Sequence, residues 1–127
     1  VTAVDGAASV ADSLVVDMPR NAIGCLAEIS ASNGGAVIVS DEAILEAITR
    51  LAGTTGVFAE PAGAAVLAGL DAALEEGLVN RDERVVLMVT GTGLKDVAAA
   101  TSSVPSLEPV EANVDAVASV TNPSKKR

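Results

Sequence analysis

The residues of this chain that could do chemistry are concentrated in one polar turn. Residues 90–96 read Thr-Gly-Thr-Gly-Leu-Lys-Asp. Glycines expose backbone N–H groups, and such a turn superficially resembles a phosphate-binding loop. The dinucleotide fingerprint is not met, since no third glycine clearly opens a long helix, and the Walker spacing is absent as well. From this segment alone, a ligand-binding turn and a tight turn with a surface Lys95-Asp96 pair remain alternatives.

Thr90 favours the ligand-binding alternative. It ends the apolar run 85–89, whose composition is typical of a strand buried on both faces of a parallel sheet. Ligands of such sheets bind just beyond the carboxyl ends of the strands. A buried hydroxyl also requires a hydrogen-bond partner. We therefore expect a site at this turn.

The elements that would position the turn are predicted from periodicity and capping signals. A short helix should begin after Asn21 and stop at residues 33–35, and a second strand should occupy residues 36–39. Ser40 or Asp41 could cap the next helix, and Pro61 suits the first turn of a helix that runs to Gly77. The buried stripe of the helix after residue 40 is expected to comprise Ile44, Ile48, Leu51 and Ala52.

Composition points to helices packed on a parallel sheet. The chain has 127 residues, half of them hydrophobic, which is enough for one core. With one Phe and no Trp or Tyr, the apolar volume comes from Ala, Val, Leu and Ile. The expected fold class is therefore α/β.

Charge and cysteine content exclude several classes. The net charge is −9, and the only basic cluster is Lys125-Lys126-Arg127, so a nucleic-acid footprint is missing. Cys25 has no cysteine partner, the chain contains no His, and we expect this thiol to be buried as a small hydrophobe. No apolar run approaches the ~20 residues of a membrane span, and residues 1–16 lack the basic start of a signal peptide. A cytoplasmic protein without a metal site is expected.

Four motifs carry a resemblance to a known family. They are residues 12–21, the run 36–42 with its Asp-Glu end, the Glu-Pro-Ala-Gly-Ala-Ala element at 60–65 and residues 89–96. In this order they resemble the threonine synthases, fold-type II pyridoxal-phosphate enzymes related to the tryptophan synthase β chain. The Gly-Leu-Lys-Asp element favours threonine synthase over threonine dehydratase or cysteine synthase.

The resemblance implies a C-terminal fragment of a three-layer αβα domain with a mainly parallel sheet. Residues 1–104 would belong to the large cofactor-binding domain, and residues 105–127 would form a loosely docked or disordered tail. In this family the lysine that binds the cofactor and the glycine-rich phosphate cup lie upstream of the matched span. No catalytic residue is therefore expected here, and the chain alone should be inactive. Val97 and Gly63 depart from the residues common in the family, which puts the detail of substrate recognition in doubt.

The resemblance also implies a cofactor site for pyridoxal 5'-phosphate. Thr90 matches the hydroxyl that meets the pyridine nitrogen, and Gly91 is expected beside it. A neutral hydroxyl leaves the ring unprotonated or weakly polarised. Glu60 matches a position on the cofactor side, although an exposed acid near a helix N-terminus is the alternative. The implied reaction converts O-phosphohomoserine and water to threonine and phosphate.

Two other functions stay open from the sequence. One is a non-catalytic α/β module that binds or complements another chain, and the other is a fragment of a related lyase such as threonine dehydratase. A homo-oligomer or a complementing upstream fragment is a further expectation. A small amino-acid substrate is expected, with neither a nucleic-acid nor a membrane partner.

Overall fold

In a computed structural model, which describes residues 1–106 and 108–121, two long helices form the centre of the molecule. Short 3-10 turns lie at Asp12–Leu14 and Gly93–Lys95. The helices are α1 (Ala22–Ala31), α2 (Asp41–Thr55), α3 (Pro61–Glu75), α4 (Val97–Ser102) and α5 (Val114–Thr121).

Helix α2 begins and ends where local chemistry dictates. The Ser40 hydroxyl accepts a hydrogen bond from the Ala43 N–H at 3.2 Å, and Asp41 and Glu42 lie in the positively polarised first turn. Gly56 ends the helix with a φ of 76°, a left-handed conformation that favours glycine. The predicted helix and its Ser40 cap are confirmed.

Helix α3 starts with Pro61 at its first position, as predicted, and ends at Glu75, two residues before the predicted end. It packs along α2 with small residues, which allows the two backbones to approach closely. The buried apolar core comprises Ala11, Ile44, Ala47, Ile48, Leu51, Ala59, Ala62, Ala64 and Ala68. Three of the four residues of the predicted α2 stripe are in this core.

Helix α1 follows Asn21 as predicted, but the Asn21 side chain makes no capping hydrogen bond. None of its residues is buried, and Ile23 is 81% exposed. Cys25 is exposed as well, so its predicted burial is wrong. The reason is that no other described element covers this helix.

The expected α/β class, with its three-layer αβα architecture and mainly parallel sheet, is wrong for residues 1–106 and 108–121. Neither residues 36–39 nor residues 85–89 form a strand. A strand requires hydrogen bonds to a neighbouring strand, and the described part of the chain gives these two segments no backbone hydrogen bond. The β pairing seen there is one isolated antiparallel bridge between Ala59 and Thr92.

The two segments nevertheless alternate in exposure. Val37, Val39, Leu87 and Val89 are partly buried, and Val37 and Val89 flank α3 near Gly69 and Gly63. The residues between them point outward, since Ile38 is 94%, Val86 88% and Met88 75% exposed. The prediction that both faces are buried is therefore wrong, because helices cover only one side of each segment.

The N-terminal segment is tied to the start of α2. The Ser9 hydroxyl donates to one Asp41 carboxylate oxygen at 2.6 Å, and the Val10 N–H donates to the other at 3.2 Å. These bonds place Ala11 in the core, where it is 2% exposed.

The predicted tail of residues 105–127 includes helix α5. Residues 107 and 122–127, including Lys125 and Lys126, lie outside the described residues, and the division into domain and tail stays a prediction. Across the described helices, none combines the length and apolar character needed to cross a membrane.

Candidate functional site

The polar turn is joined to the start of α3 by backbone hydrogen bonds. The Glu60 N–H donates to the Gly91 carbonyl at 3.1 Å, and the Gly93 N–H donates to the Phe58 carbonyl at 3.0 Å. These two bonds flank the bridge between Ala59 and Thr92. The turn is thus held in register with residues 58–60, although about thirty residues separate them along the chain.

Thr92 and Asp96 shape the backbone that follows the turn. The Thr92 hydroxyl accepts from the Leu94 N–H at 3.4 Å, and its carbonyl accepts from the Lys95 N–H at 3.1 Å. The Asp96 carboxylate caps α4 by accepting from the Ala99 N–H at 3.0 Å. Both side chains therefore have local structural roles.

Glu60 is a buried carboxylate with one cationic partner. The residue is 5% exposed, and its Oε1 accepts a hydrogen bond from Lys95 Nζ at 2.9 Å. The Lys95 side chain is 57% exposed, so one member of the pair is solvated and the other is not. The Glu60 side chain makes no capping bond to α3. Neither an exposed Glu60 nor a Lys95-Asp96 pair is found.

The pairing of Glu60 with Lys95 was missed from the sequence. A buried carboxylate requires a cation or strong donors, and Lys95 is the lysine nearest to Glu60 in the sequence, so knowledge that Glu60 is buried would have indicated the pair. The burial of Glu60 could not be predicted from the sequence.

Residues 91 and 93 are glycines because neighbouring side chains occupy the space that a Cβ atom would need. A Cβ on Gly91 would overlap the Glu60 carboxylate, and a Cβ on Gly93 would overlap the Phe58 ring. The two glycines allow these side chains to lie directly against the turn. Glu60 is therefore in contact with the backbone beside Thr90.

Thr90 is exposed, contrary to the expectation of a buried hydroxyl. Its hydroxyl has no hydrogen-bond partner among residues 1–106 and 108–121. The helices on one side of residues 85–89 leave the end of this segment open. A small cavity of about 130 Å³ lies next to Glu60 and Lys95, with Asp12 and Ser13 among its other lining residues. Thr90 does not line this cavity.

The arrangement offers an external ligand a neutral hydroxyl on a glycine-rich turn. A carboxylate paired to a lysine lies on the inner side of that turn. Thr90, Gly91 and Glu60 are therefore neighbours, with Gly91 between the other two.

A family model decides the broader identity. The model described as "Pyridoxal-phosphate dependent enzyme" matches residues 1–91. The chain belongs to this family. Pyridoxal phosphate is accordingly the cofactor of the family in which these residues occur, as predicted.

Curated relatives within the pyridoxal-phosphate family agree with the predicted resemblance. The chain is 44% identical over 107 residues to a threonine synthase of Methanocaldococcus jannaschii, a match covering 84% of the chain and 26% of that protein. It is 40% identical over 112 residues to a threonine synthase of Mycobacterium tuberculosis, covering 88% and 31%. A threonine synthase of Methanosarcina acetivorans is 38% identical over 117 residues, covering 92% and 29%. The matched region thus spans about a quarter to a third of the length of these relatives.

Proposed function

We propose that this chain is the C-terminal portion of a threonine synthase, which converts O-phosphohomoserine and water to threonine and phosphate. Residues 1–104 would belong to its cofactor-binding domain, and residues 105–127 would form a tail. The relatives named threonine synthase support the proposal, as does the fraction of their length that the chain covers. On this proposal the cofactor-binding lysine lies in another part of the protein, and the 127-residue chain alone is inactive.

The observation that carries the proposal is the free Thr90 hydroxyl on the turn that Glu60 supports. A hydroxyl without a partner in the described residues is available to a ring nitrogen. When bound, pyridoxal phosphate supplies the electron sink for proton shifts on the amino-acid substrate. Thr90 would hold the ring nitrogen through a neutral hydrogen bond, which stabilises a proton there less than a carboxylate would.

Gly91 and Glu60 would hold Thr90 in place. Gly91 brings the turn against the Glu60 carboxylate, and the Glu60 N–H binds the Gly91 carbonyl. The position of the Thr90 hydroxyl is then set by a rigid helix terminus.

The test uses the full-length protein that contains these residues. Purified with pyridoxal phosphate, it should release phosphate from O-phosphohomoserine and form threonine in equal amounts. Thr90→Val should weaken cofactor binding by about tenfold, since one hydrogen bond to a ring nitrogen is lost, whereas Thr90→Ser should remain near wild type. Absorbance titration of the apoprotein measures the affinity.

Two results would overturn the proposed activity, and a third would overturn the role of Thr90. A full-length protein that binds no pyridoxal phosphate cannot catalyse the proposed reaction. Ammonia release from threonine without phosphate release from O-phosphohomoserine would identify a dehydratase instead. Equal affinity of Thr90→Val and wild type would remove Thr90 from the site.

A further inference from the structure

We propose that Lys95 is a positioning residue that acts on the cofactor site through Glu60. By neutralising the Glu60 carboxylate and holding it on the inner side of the turn, Lys95 leaves the neutral Thr90 hydroxyl as the polar group that meets the ring nitrogen. The inference rests on the proposed function and adds a residue to it.

The ion pair between Glu60 and Lys95 is asymmetric in burial. Glu60 is almost fully buried, and Lys95 Nζ at 2.9 Å is the donor that its carboxylate has in the described residues. A buried carboxylate that loses its cation must either recover water or move toward another positive or polar group. Lys95 is more than half exposed and has no comparable need of Glu60.

The Glu60 carboxylate lies directly against the turn at Gly91. Glu60 occupies the space that a Cβ on Gly91 would fill, so its charge lies one residue from Thr90. Without Lys95, an uncompensated charge would lie against the turn that carries Thr90, and a carboxylate near a pyridine nitrogen favours the protonated ring. Lys95 therefore affects both the shape and the charge of the site without touching the ligand.

The backbone of Lys95 is held in place by the turn. It ends the 3-10 turn Gly93–Lys95, and its N–H donates to the Thr92 carbonyl at 3.1 Å. The Gly93 N–H is bonded to Phe58 at 3.0 Å, so the turn and residues 58–60 are connected on both sides of the ion pair. The backbone hydrogen bonds and the Glu60–Lys95 ion pair together connect the residues on both sides of Gly91.

The experiment measures cofactor affinity and the absorption spectrum of the bound cofactor in the full-length protein. Lys95→Met should lower affinity by at least about tenfold and change the spectrum, because an unpaired buried charge then lies against the turn that carries Thr90. Lys95→Arg should restore both, since the cation is retained. Lys95→Met combined with Glu60→Gln should match Glu60→Gln alone in both quantities, since the charge that Lys95 neutralised is gone.

One reference variant and one control make the result specific. Glu60→Gln alone is the reference for the double variant, because it removes the carboxylate charge while its amide oxygen can still accept from Lys95. Arg50→Met breaks the exposed ion pair between Arg50 and Asp71 farther along α3 and should change neither quantity. Circular dichroism establishes whether each variant is folded. If Lys95→Met does not fold, the comparison of the double variant with Glu60→Gln tests the role of Lys95.

The outcomes separate this inference from the proposed function. A wild-type protein that does not bind pyridoxal phosphate overturns both. A wild-type protein that binds it, together with an unaltered Lys95→Met or a double variant no better than the single one, overturns the role of Lys95 alone.

Discussion

Gly63 and Gly91 are packed backbone to backbone. A Cβ on Gly63 would lie 2.9 Å from the Gly91 carbonyl oxygen and 3.3 Å from the Val89 Cγ1 atom. The first turn of α3 and the polar turn can therefore approach each other only while residue 63 lacks a side chain.

Alanine at position 63 should destabilise the protein. The added methyl group meets a backbone carbonyl that cannot move without breaking the Glu60 to Gly91 hydrogen bond, so a loss of about 1–3 kcal/mol is expected. Gly53→Ala is the matched control, because Gly53 lies in α2 with no atom within 4 Å of its Cβ position. It should gain about 0.5–1 kcal/mol from helix propensity. Denaturant unfolding of both variants measures the difference, and equal effects would contradict the packing.

Ser9→Ala should loosen the N-terminal segment. The Ser9 hydroxyl donates to Asp41 at 2.6 Å and accepts from the Ala11 N–H at 3.1 Å, so the variant loses two hydrogen bonds, at about 1–2 kcal/mol in total. Hydrogen exchange at Val10 and Ala11 should accelerate. Ser13→Ala, at an exposed position of the same segment, should leave exchange unchanged. Equal rates in the two variants would refute the tie to α2.

Glu83 should titrate below the ordinary range of glutamate. The Asn80 side chain at 2.6 Å, and then the Asn80 N–H at 3.1 Å, donate to its carboxylate and lower its pKa. The lower pKa in the folded state means that this turn is stabilised above the unfolded pKa, and that the contribution is lost as the pH falls through the folded pKa. An NMR titration should show the Glu83 midpoint rising in Asn80→Ala. An unchanged midpoint would exclude the hydrogen bonds as its cause.

The outward residues of the two extended segments should promote self-association of the isolated 127-residue chain. Ile38 and Met88 are 94% and 75% exposed, and contiguous exposed apolar side chains favour association. Lys substituted at both positions should raise the fraction of monomer in sedimentation velocity while changing stability by less than about 0.5 kcal/mol. Ile48→Ala, in the core, should instead cost about 2–5 kcal/mol. A monomeric wild-type chain would contradict the expectation.

The sequence predicted the elements that depend on local signals. Ser40 and Pro61 act within one helical turn, so the starts of α2 and α3 could be derived from neighbouring residues alone. The apolar runs at 36–39 and 85–89 differ, because a strand exists only where another segment supplies hydrogen bonds. Their composition does not specify such a partner, and the described residues do not provide one.

The candidate site divides in the same way. The resemblance predicts Thr90, Gly91 and Glu60 as site residues, but the exposure of Thr90 depends on which elements cover residues 85–89. The contact between Lys95 and Glu60 joins residues 35 positions apart, and no periodicity connects them. Pro61 places Glu60 at the start of a helix. The burial of Glu60 depends on the turn that packs against it, and Pro61 gives no information about that turn.

The overlap between position 91 and the Glu60 carboxylate makes these two positions interdependent. A side chain at residue 91 requires the Glu60 carboxylate to move or to be shortened, and Lys95 then loses the group it binds. Changes at the three positions should therefore accumulate together during divergence, with Gly91→Ala better tolerated in a Glu60→Ala background than alone. Libraries that randomise residue 91 by itself should be enriched in glycine, whereas joint randomisation of residues 60, 91 and 95 should accept a wider range of side chains at residue 91.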